Sequence, residues 1–212
     1  MTSQRPSRPL LLILLALLAG GGALASLAFG PVPLSLSRLW NAALHGTDPI
    51  AHIILFDLRL PRTLLGLMVG AILGLAGAAL QGYLRNPLAE PSVLGTSNAA
   101  ALGAVAALYF GLAAIHPAIL PLLSIAAALI SLGALTLLSG KADSPLSLIL
   151  GGIAVGTLAG AAISLSLNLS PNPFAAMEIM TWLMGSLENR SYQHILIAAP
   201  CVLLGMILLF WD

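Results

Sequence analysis

The stretch DLRLPRTLLGLMVGAILGLAGAALQGYLRNPLAEPSVLGTSNAAALG, residues 57–103, decides the fold. It contains 47 residues but only three arginines and two carboxylates. Arg59 and Arg62 flank a proline at the start of an apolar run that is long enough to span a bilayer as a helix. The run ends at residues 85–91, RNPLAEP, where two prolines stop the helix. The stretch therefore predicts a membrane helix with cations at one end and a polar break at the other.

The composition of the whole chain is that of a protein that crosses a membrane several times. Of its 212 residues, 59% are hydrophobic and only 7% are charged, whereas soluble domains carry about 25% charged residues. The fold class that this predicts is an all-α integral membrane protein. The net charge of +1 provides no basic surface for nucleic acid. The single cysteine, Cys201, lies in an apolar run, where packing is its expected role.

Six runs reach the roughly 20 apolar residues that a spanning helix needs. They predict one transmembrane domain over residues 1–212, with spans at 10–29, 63–83, 93–112, 118–138, 146–167 and 194–211. The first run has Arg5 and Arg8 before it and the sequence ALA at 23–25, so it also fits a cleavable signal peptide. Because its apolar stretch continues to Phe29, a retained helix is the favoured interpretation.

Arg59 and Arg62 have two interpretations. Basic residues divide four against four between the two sides of the membrane, so their count does not set the orientation. Arg5 and Arg8 before the first helix favour a cytoplasmic N-terminus, which places Arg59 and Arg62 outside. There they either anchor a helix end at the lipid headgroups or bind an acidic partner.

Glycines recur every four positions in two predicted spans, with one more three positions after the first series, and such spacing lets another helix approach closely. These packing positions are Gly66, Gly70, Gly74, Gly77, Gly152, Gly156 and Gly160. Between the spans, residues 38–45 and 174–187 predict short helices at the outer surface, each with an interfacial tryptophan. Residues 84–100 predict a break in the bundle, either as a cytoplasmic loop or as polar backbone enclosed by protein.

The sequence contains no arrangement of residues that is typical of an enzyme active site. Lys141 follows a glycine but lacks the Ser or Thr and the upstream glycine of a phosphate-binding loop. No acidic residue falls inside a predicted span, which argues against an intramembrane proton relay. The four histidines are scattered near span ends without metal-ligand spacing. We therefore expect that this chain binds neither a cofactor nor a metal ion.

Residues 59–104, RLPRTLLGLMVGAILGLAGAALQGYLRNPLAEPSVLGTSNAAALGA, resemble the signature of the FecCD family without a gap. These proteins are permease subunits of bacterial ABC importers for iron–siderophores, haem and cobalamin. The resemblance implies a BtuC-like type II importer permease fold with ten spanning helices, of which six are expected here. The chain is thus expected to be a fragment or a truncated form that ends after the sixth helix, with the first helix retained.

The resemblance also implies the partners and the function. They are a second permease subunit, identical or related, two cytoplasmic ATPase subunits that hydrolyse the ATP, and a periplasmic binding protein. The expected function is uptake of an iron–siderophore, or of haem or cobalamin, across the inner membrane by alternating access. A non-transporting membrane remnant and an ion-coupled secondary transporter are the alternatives.

Two sets of site residues follow from the resemblance. Arg59 and Arg62 correspond to the arginines that pair with carboxylates of the binding protein. The expected cytoplasmic gate consists of Asn86, Leu88, Ser144 and Leu146. Relatives often have small hydroxyl residues in the second of these turns, so Pro145 and Leu146 depart from the family pattern.

Overall fold

The structure of the chain, a computed structural model, describes residues 7–46, 48–139, 145–188 and 190–211. These residues form α-helices joined by short turns. The α-helices are α1 (Arg8–Ala28), α2 (Leu36–Leu44), α3 (Pro49–Ile53), α4 (Leu60–Leu84), α5 (Thr96–Tyr109), α6 (Ile119–Ser139), α7 (Pro145–Asn168), α8 (Pro173–Met184) and α9 (Tyr192–Trp211). A π-helical turn, Ile54–Arg59, joins α3 to α4, and 3-10 turns occupy Pro91–Leu94 and Leu112–Ala114.

Five helical segments among the described residues are long and apolar enough to cross a membrane, so the chain is a multi-pass membrane protein. They are α1, the continuous segment Pro49–Leu84, the Ile119–Leu138 part of α6, α7 and α9. The span predicted at 93–112 stays a prediction, and its helix α5 has 14 residues. At 1.5 Å per residue it is about 21 Å long, less than the roughly 30 Å hydrocarbon core. Gly95 and Gly111 delimit it with φ of +70° and +66°, which interrupts the apolar run at both ends.

The contacts of the described residues group into two compact units. One lies within Met1–Ile72 and Leu187–Asp212, and the other within Leu73–Ser186. The boundary falls inside α4 and again after α8. The single transmembrane domain that the sequence predicts stays a prediction.

In the first unit, α2 confirms the short helix predicted over residues 38–45. The Arg38 guanidinium pairs with Asp48 at an N–O distance of 2.6 Å. The same carboxylate caps α3 by accepting the Ala51 N–H at 3.0 Å. The bond from Ala51 and then the hydrogen bond from Arg38 hold the pKa of Asp48 below its usual value. The position of α2 along the membrane surface stays a prediction.

The helix that carries the two conspicuous arginines begins earlier than the sequence predicts. The expected span starts at residue 63, but helical structure is continuous over Pro49–Leu84. Pro61 lies inside this helix, and in an α-helical register its ring would meet the carbonyl of Asp57. The backbone instead widens into the π-helical turn Ile54–Arg59 directly before it. The turn accommodates a proline within a spanning helix.

The π-helical turn and Pro61 together limit the backbone donors available to the Phe56 carbonyl. The N–H of Leu60 bonds to the Leu55 carbonyl, and the residue five positions after Phe56 is Pro61, which has no N–H. The Tyr192 hydroxyl donates to the Phe56 carbonyl at 3.0 Å. This hydrogen bond ties the start of α9 to the π-helical turn.

In the second unit, α5 is the helix with the most buried positions. It packs against α6, α7 and α8, and its buried residues are small, namely Ala99, Gly103, Ala104, Val105 and Ala107. A Cβ at Gly103 would overlap the backbone of Leu123, and Ser124 donates to the Ala100 carbonyl at 2.9 Å. Small side chains therefore allow α5 and α6 to come into close backbone contact.

The helix predicted over residues 174–187 is confirmed as α8. It begins after Asn172, whose side chain accepts the Ala175 N–H at 2.9 Å. It ends three residues earlier than expected, because Gly185 takes φ +75° and turns the chain out of the helix. Its side chain Ile179 is fully buried.

Candidate functional site

The side chain of Arg59 is buried, with only 6% of its surface exposed. Its Nη1 donates to the carbonyls of Leu27 and Ala28 at 2.7 and 2.8 Å, and its Nη2 donates to the Val32 carbonyl at 2.6 Å. Leu27 and Ala28 end α1, where helix carbonyls lack partners of their own. The guanidinium therefore caps α1 and also holds the chain that follows it.

Two further contacts surround this guanidinium. A Cβ at Gly30 would come within 3.1 Å of the Arg59 Nε, so a glycine gives the guanidinium its space. One turn along α4, the Thr63 and Ser26 hydroxyl oxygens lie 2.8 Å apart in a hydrogen bond. Thr63 is 6% exposed. Arg59 and Thr63 thus both attach the last turn of α1 to the region where α4 begins.

Arg62 has different surroundings from Arg59, because its side chain is exposed. Together with Arg59 and Glu188 it lines a cavity of about 210 Å³. The other residues that line this cavity are Gly30, Pro31, Val32, Ile54 and Leu58. It also lies at a second cavity of about 320 Å³ between α1 and α4. Of the two arginines predicted to bind a partner, Arg62 is the one whose charge is presented to the surroundings.

The glycines predicted to pack helices fall into three groups, which differ in how closely another segment approaches them. Cβ atoms at Gly152 and Gly156 would press on the backbone between Val93 and Gly95, and one at Gly152 would lie 2.8 Å from the Leu94 Cα. A Cβ at Gly66 would make an ordinary contact with Leu187 at 3.6 Å. Apart from the adjoining residues and nearby backbone of the same helix, no described atom lies within 4 Å of such a Cβ at Gly70, Gly74, Gly77 or Gly160.

The turn after α4, expected to belong to a gate, is fixed by its own hydrogen bonds. Arg85 follows the helix with φ +49°. The Asn86 side-chain oxygen accepts the Leu88 N–H at 2.9 Å, and Gln81 donates to the Ala89 carbonyl at 3.3 Å. These bonds bury Ala89 and leave Leu88 86% exposed. The turn therefore presents a leucine side chain on a rigid backbone.

The second turn expected at the gate is described only from Pro145 onwards. Ser144 lies outside the described residues, and Leu146 is 63% exposed in the first turn of α7. A cavity of about 470 Å³ is lined by Pro145 and by residues 83–85 at the end of α4. The structure thus brings the start of α7 near the end of α4, and the gate roles stay predictions.

Several residues that shape these sites were not identified from the sequence. Pro61 carried a usable signal, because a proline inside a helix removes a backbone donor. Tyr192, Thr63, Ser26 and Gly30 carried none, since each acts on a segment at least 29 residues away.

Comparison with known proteins relates these features to a family. The model of the FecCD transport family matches residues 12–211. An uncharacterized ABC transporter permease protein of Bacillus subtilis, YvrB, is 39% identical over 84% of this chain and 53% of its own length. The Fe(3+) dicitrate transport system permease protein FecD of Escherichia coli is 38% identical over 92% of this chain and 59% of its own length.

A solved structure has the same fold. It is an inward-facing conformation described as that of a metal-chelate type ABC transporter, and it superposes with a TM-score of 0.79 at 33% identity. The match covers 94% of this chain and 61% of the other. The chain thus spans between half and two thirds of the length of each of these three proteins.

Proposed function

We propose that this chain, which belongs to the FecCD transport family, acts as permease in an ABC importer of metal chelates. The observation that carries the proposal is the family match over residues 12–211. An iron chelate is the proposed cargo, since FecD is named for Fe(3+) dicitrate transport, and haem and cobalamin are the alternatives within the family. The proposed location is the bacterial inner membrane, with the N-terminus in the cytoplasm.

The proposed mechanism is alternating access driven by separate subunits. Two cytoplasmic ATPase subunits supply the energy, because the sequence contains no phosphate-binding loop. A second permease subunit completes the path, and a periplasmic binding protein delivers the chelate. The likeness to an inward-facing transporter structure supports this mechanism.

In this mechanism the binding protein docks at the start of α4. The exposed guanidinium of Arg62, at the edge of a cavity, supports this assignment because arginine binds carboxylates bidentately. The turn with Asn86 and Leu88 and the one with Ser144 and Leu146 form the cytoplasmic gate. The exposure of Leu88 and Leu146 supports an apolar closure, which excludes water.

The decisive experiment is uptake of a radiolabelled iron chelate by the importer assembled with all its subunits in vesicles. We expect uptake that requires ATP and the binding protein and that does not respond to a proton gradient. Uptake driven by the proton gradient without ATP would instead identify a secondary transporter. The absence of uptake of iron chelate, haem and cobalamin under all conditions would contradict the proposal.

A charge reversal tests the docking assignment. Arg62→Glu should weaken docking of the binding protein at least about ten-fold, because it replaces a favourable ion pair with a repulsive one. The measurement is association of the labelled binding protein with the reconstituted importer. The matched control is Arg85→Glu, which alters an exposed arginine after the other end of α4 and should leave docking unchanged. Equal docking by both variants would remove Arg62 from the interface.

A further inference from the structure

We infer that Arg59 is a positioning residue, which shapes the docking surface by holding the end of α1 and residues 29–32. This inference deepens the docking role proposed above and rests on it. Its basis is the set of three hydrogen bonds from one buried guanidinium to the carbonyls of Leu27, Ala28 and Val32.

The first step of the argument is that the donors of Arg59 are directed into the protein. With 6% of its surface exposed, the side chain lies where an unpaired charge would be costly and a hydrogen-bonded one is tolerated. Its three acceptors lie at 2.6 to 2.8 Å, the short distances typical of charge-assisted hydrogen bonds. To pair with a carboxylate of a partner, Arg59 would have to give up these bonds.

The second step is that α1 depends on this attachment. No residue of α1 is buried, so apolar packing within the described structure does little to fix its position. The hydrogen bonds described between α1 and other elements all involve its last turn, through Ser26, Leu27 and Ala28. Arg59 provides two of these three bonds.

The third step connects Arg59 to docking. Pro31 and Val32 line the same cavity as Arg62, and Arg59 bonds directly to the Val32 carbonyl. Gly30 lies against the guanidinium, where a Cβ would come within 3.1 Å of the Arg59 Nε. Arg59 therefore sets the position of the backbone beside Arg62, while Arg62 presents the charge.

Disulfide cross-linking tests the holding role without any need for docking. In a chain with Cys201→Ala, Ser26→Cys and Thr63→Cys replace two hydroxyl groups that are 2.8 Å apart. Adding Arg59→Gln should slow disulfide formation about ten-fold, since charge-assisted hydrogen bonds to α1 are lost. Arg59→Lys should give an intermediate rate, and Arg62→Gln, the matched control, should leave it unchanged. Equal rates with arginine and glutamine at position 59 would overturn the inference.

The salt dependence of docking in the complete importer tests the second part of the inference, which is that Arg59 shapes the docking surface while Arg62 presents the charge. Arg62→Gln should weaken docking and flatten its dependence on salt, because an ion pair is lost. Arg59→Gln should weaken docking with the salt dependence retained, and Arg59→Lys should partly restore it. The inference would be overturned if Arg59→Gln left docking unchanged. It would also be overturned if Arg59→Gln flattened the salt dependence of docking as much as Arg62→Gln does. If the unsubstituted importer does not dock a binding protein, the proposed function fails, while cross-linking still decides the holding role.

Discussion

Pro61 determines the local backbone at the start of the long helix. Because it has no N–H, a backbone carbonyl there takes its hydrogen bond from a distant side chain. It removes one backbone donor, and the chain responds with the π-helical turn Ile54–Arg59. The Phe56 carbonyl, in this turn, accepts a hydrogen bond from the Tyr192 hydroxyl. A single proline in the RLPR sequence thus accounts for an interaction between residues 136 positions apart.

At this scale we predict that Tyr192→Phe lowers the free energy of unfolding by about 1 kcal/mol, the net contribution of one hydrogen bond. The phenyl ring preserves packing, so the loss reports on the hydroxyl. Thermal unfolding of the purified protein in detergent measures it. The control is Tyr83→Phe, since no hydrogen bond of the Tyr83 hydroxyl occurs in the described part of the chain. Equal stability of both variants would contradict the role of Tyr192.

Among the elements, the most constrained crossing is that of α7 with the chain that leads into α5. Gly95, with φ +70°, lies so close to Gly152 and Gly156 that a Cβ would be 2.9 Å from the Gly156 Cα. The Asn98 side chain donates to the Gly156 carbonyl at 3.2 Å. Glycines from two separate segments thus meet at one point, and the hydrogen bond fixes their register.

This crossing predicts a difference between two glycines of the same helix. Gly152→Ala should lower the free energy of unfolding by about 1 to 3 kcal/mol, because the new methyl group would overlap rigid backbone. A Cβ at Gly160 would meet no described atom beyond the nearby backbone of its own helix, so Gly160→Ala should be neutral or slightly stabilising, since alanine favours helix. Unfolding in detergent compares the two. A loss at Gly160 as large as that at Gly152 would contradict the described contacts.

For the whole molecule, the dominant feature is the apolar surface that the described helices expose. Neither α1 nor α9 contains a buried residue. In a bilayer such faces contact lipid or other membrane helices, and their burial there is not visible within the chain itself. Leu88 differs from these positions because it is 86% exposed on a polar turn and not on a spanning helix.

This exposed leucine gives a prediction for the assembled importer. Leu88→Ala should raise the ATP-independent leak of substrate from loaded vesicles several-fold, because a shorter side chain leaves a wider and wetter constriction. The control is Leu129→Ala, which shortens an exposed leucine within α6. A leak unchanged by Leu88→Ala, or raised equally by Leu129→Ala, would count against the gate assignment.

The sequence by itself determined the class of the protein, most of its spanning helices and the break after α4. These depend on the length of apolar runs and on proline and glycine, whose effects extend only over neighbouring residues. Over residues 93–112 it did not reveal that two glycines with positive φ limit the helix to 14 residues. The FecCD signature in residues 59–104 was also readable, and the family match confirms it.

Only the tertiary structure distinguished residues that look alike in the sequence. Arg59 is buried against α1 and Arg62 is exposed, although three positions separate them in one helical segment. Gly152 contacts a neighbouring backbone and Gly160 does not. The physical reason is the same in both cases: the environment of a side chain depends on which distant segment lies against its face of the helix, and local spacing does not encode that.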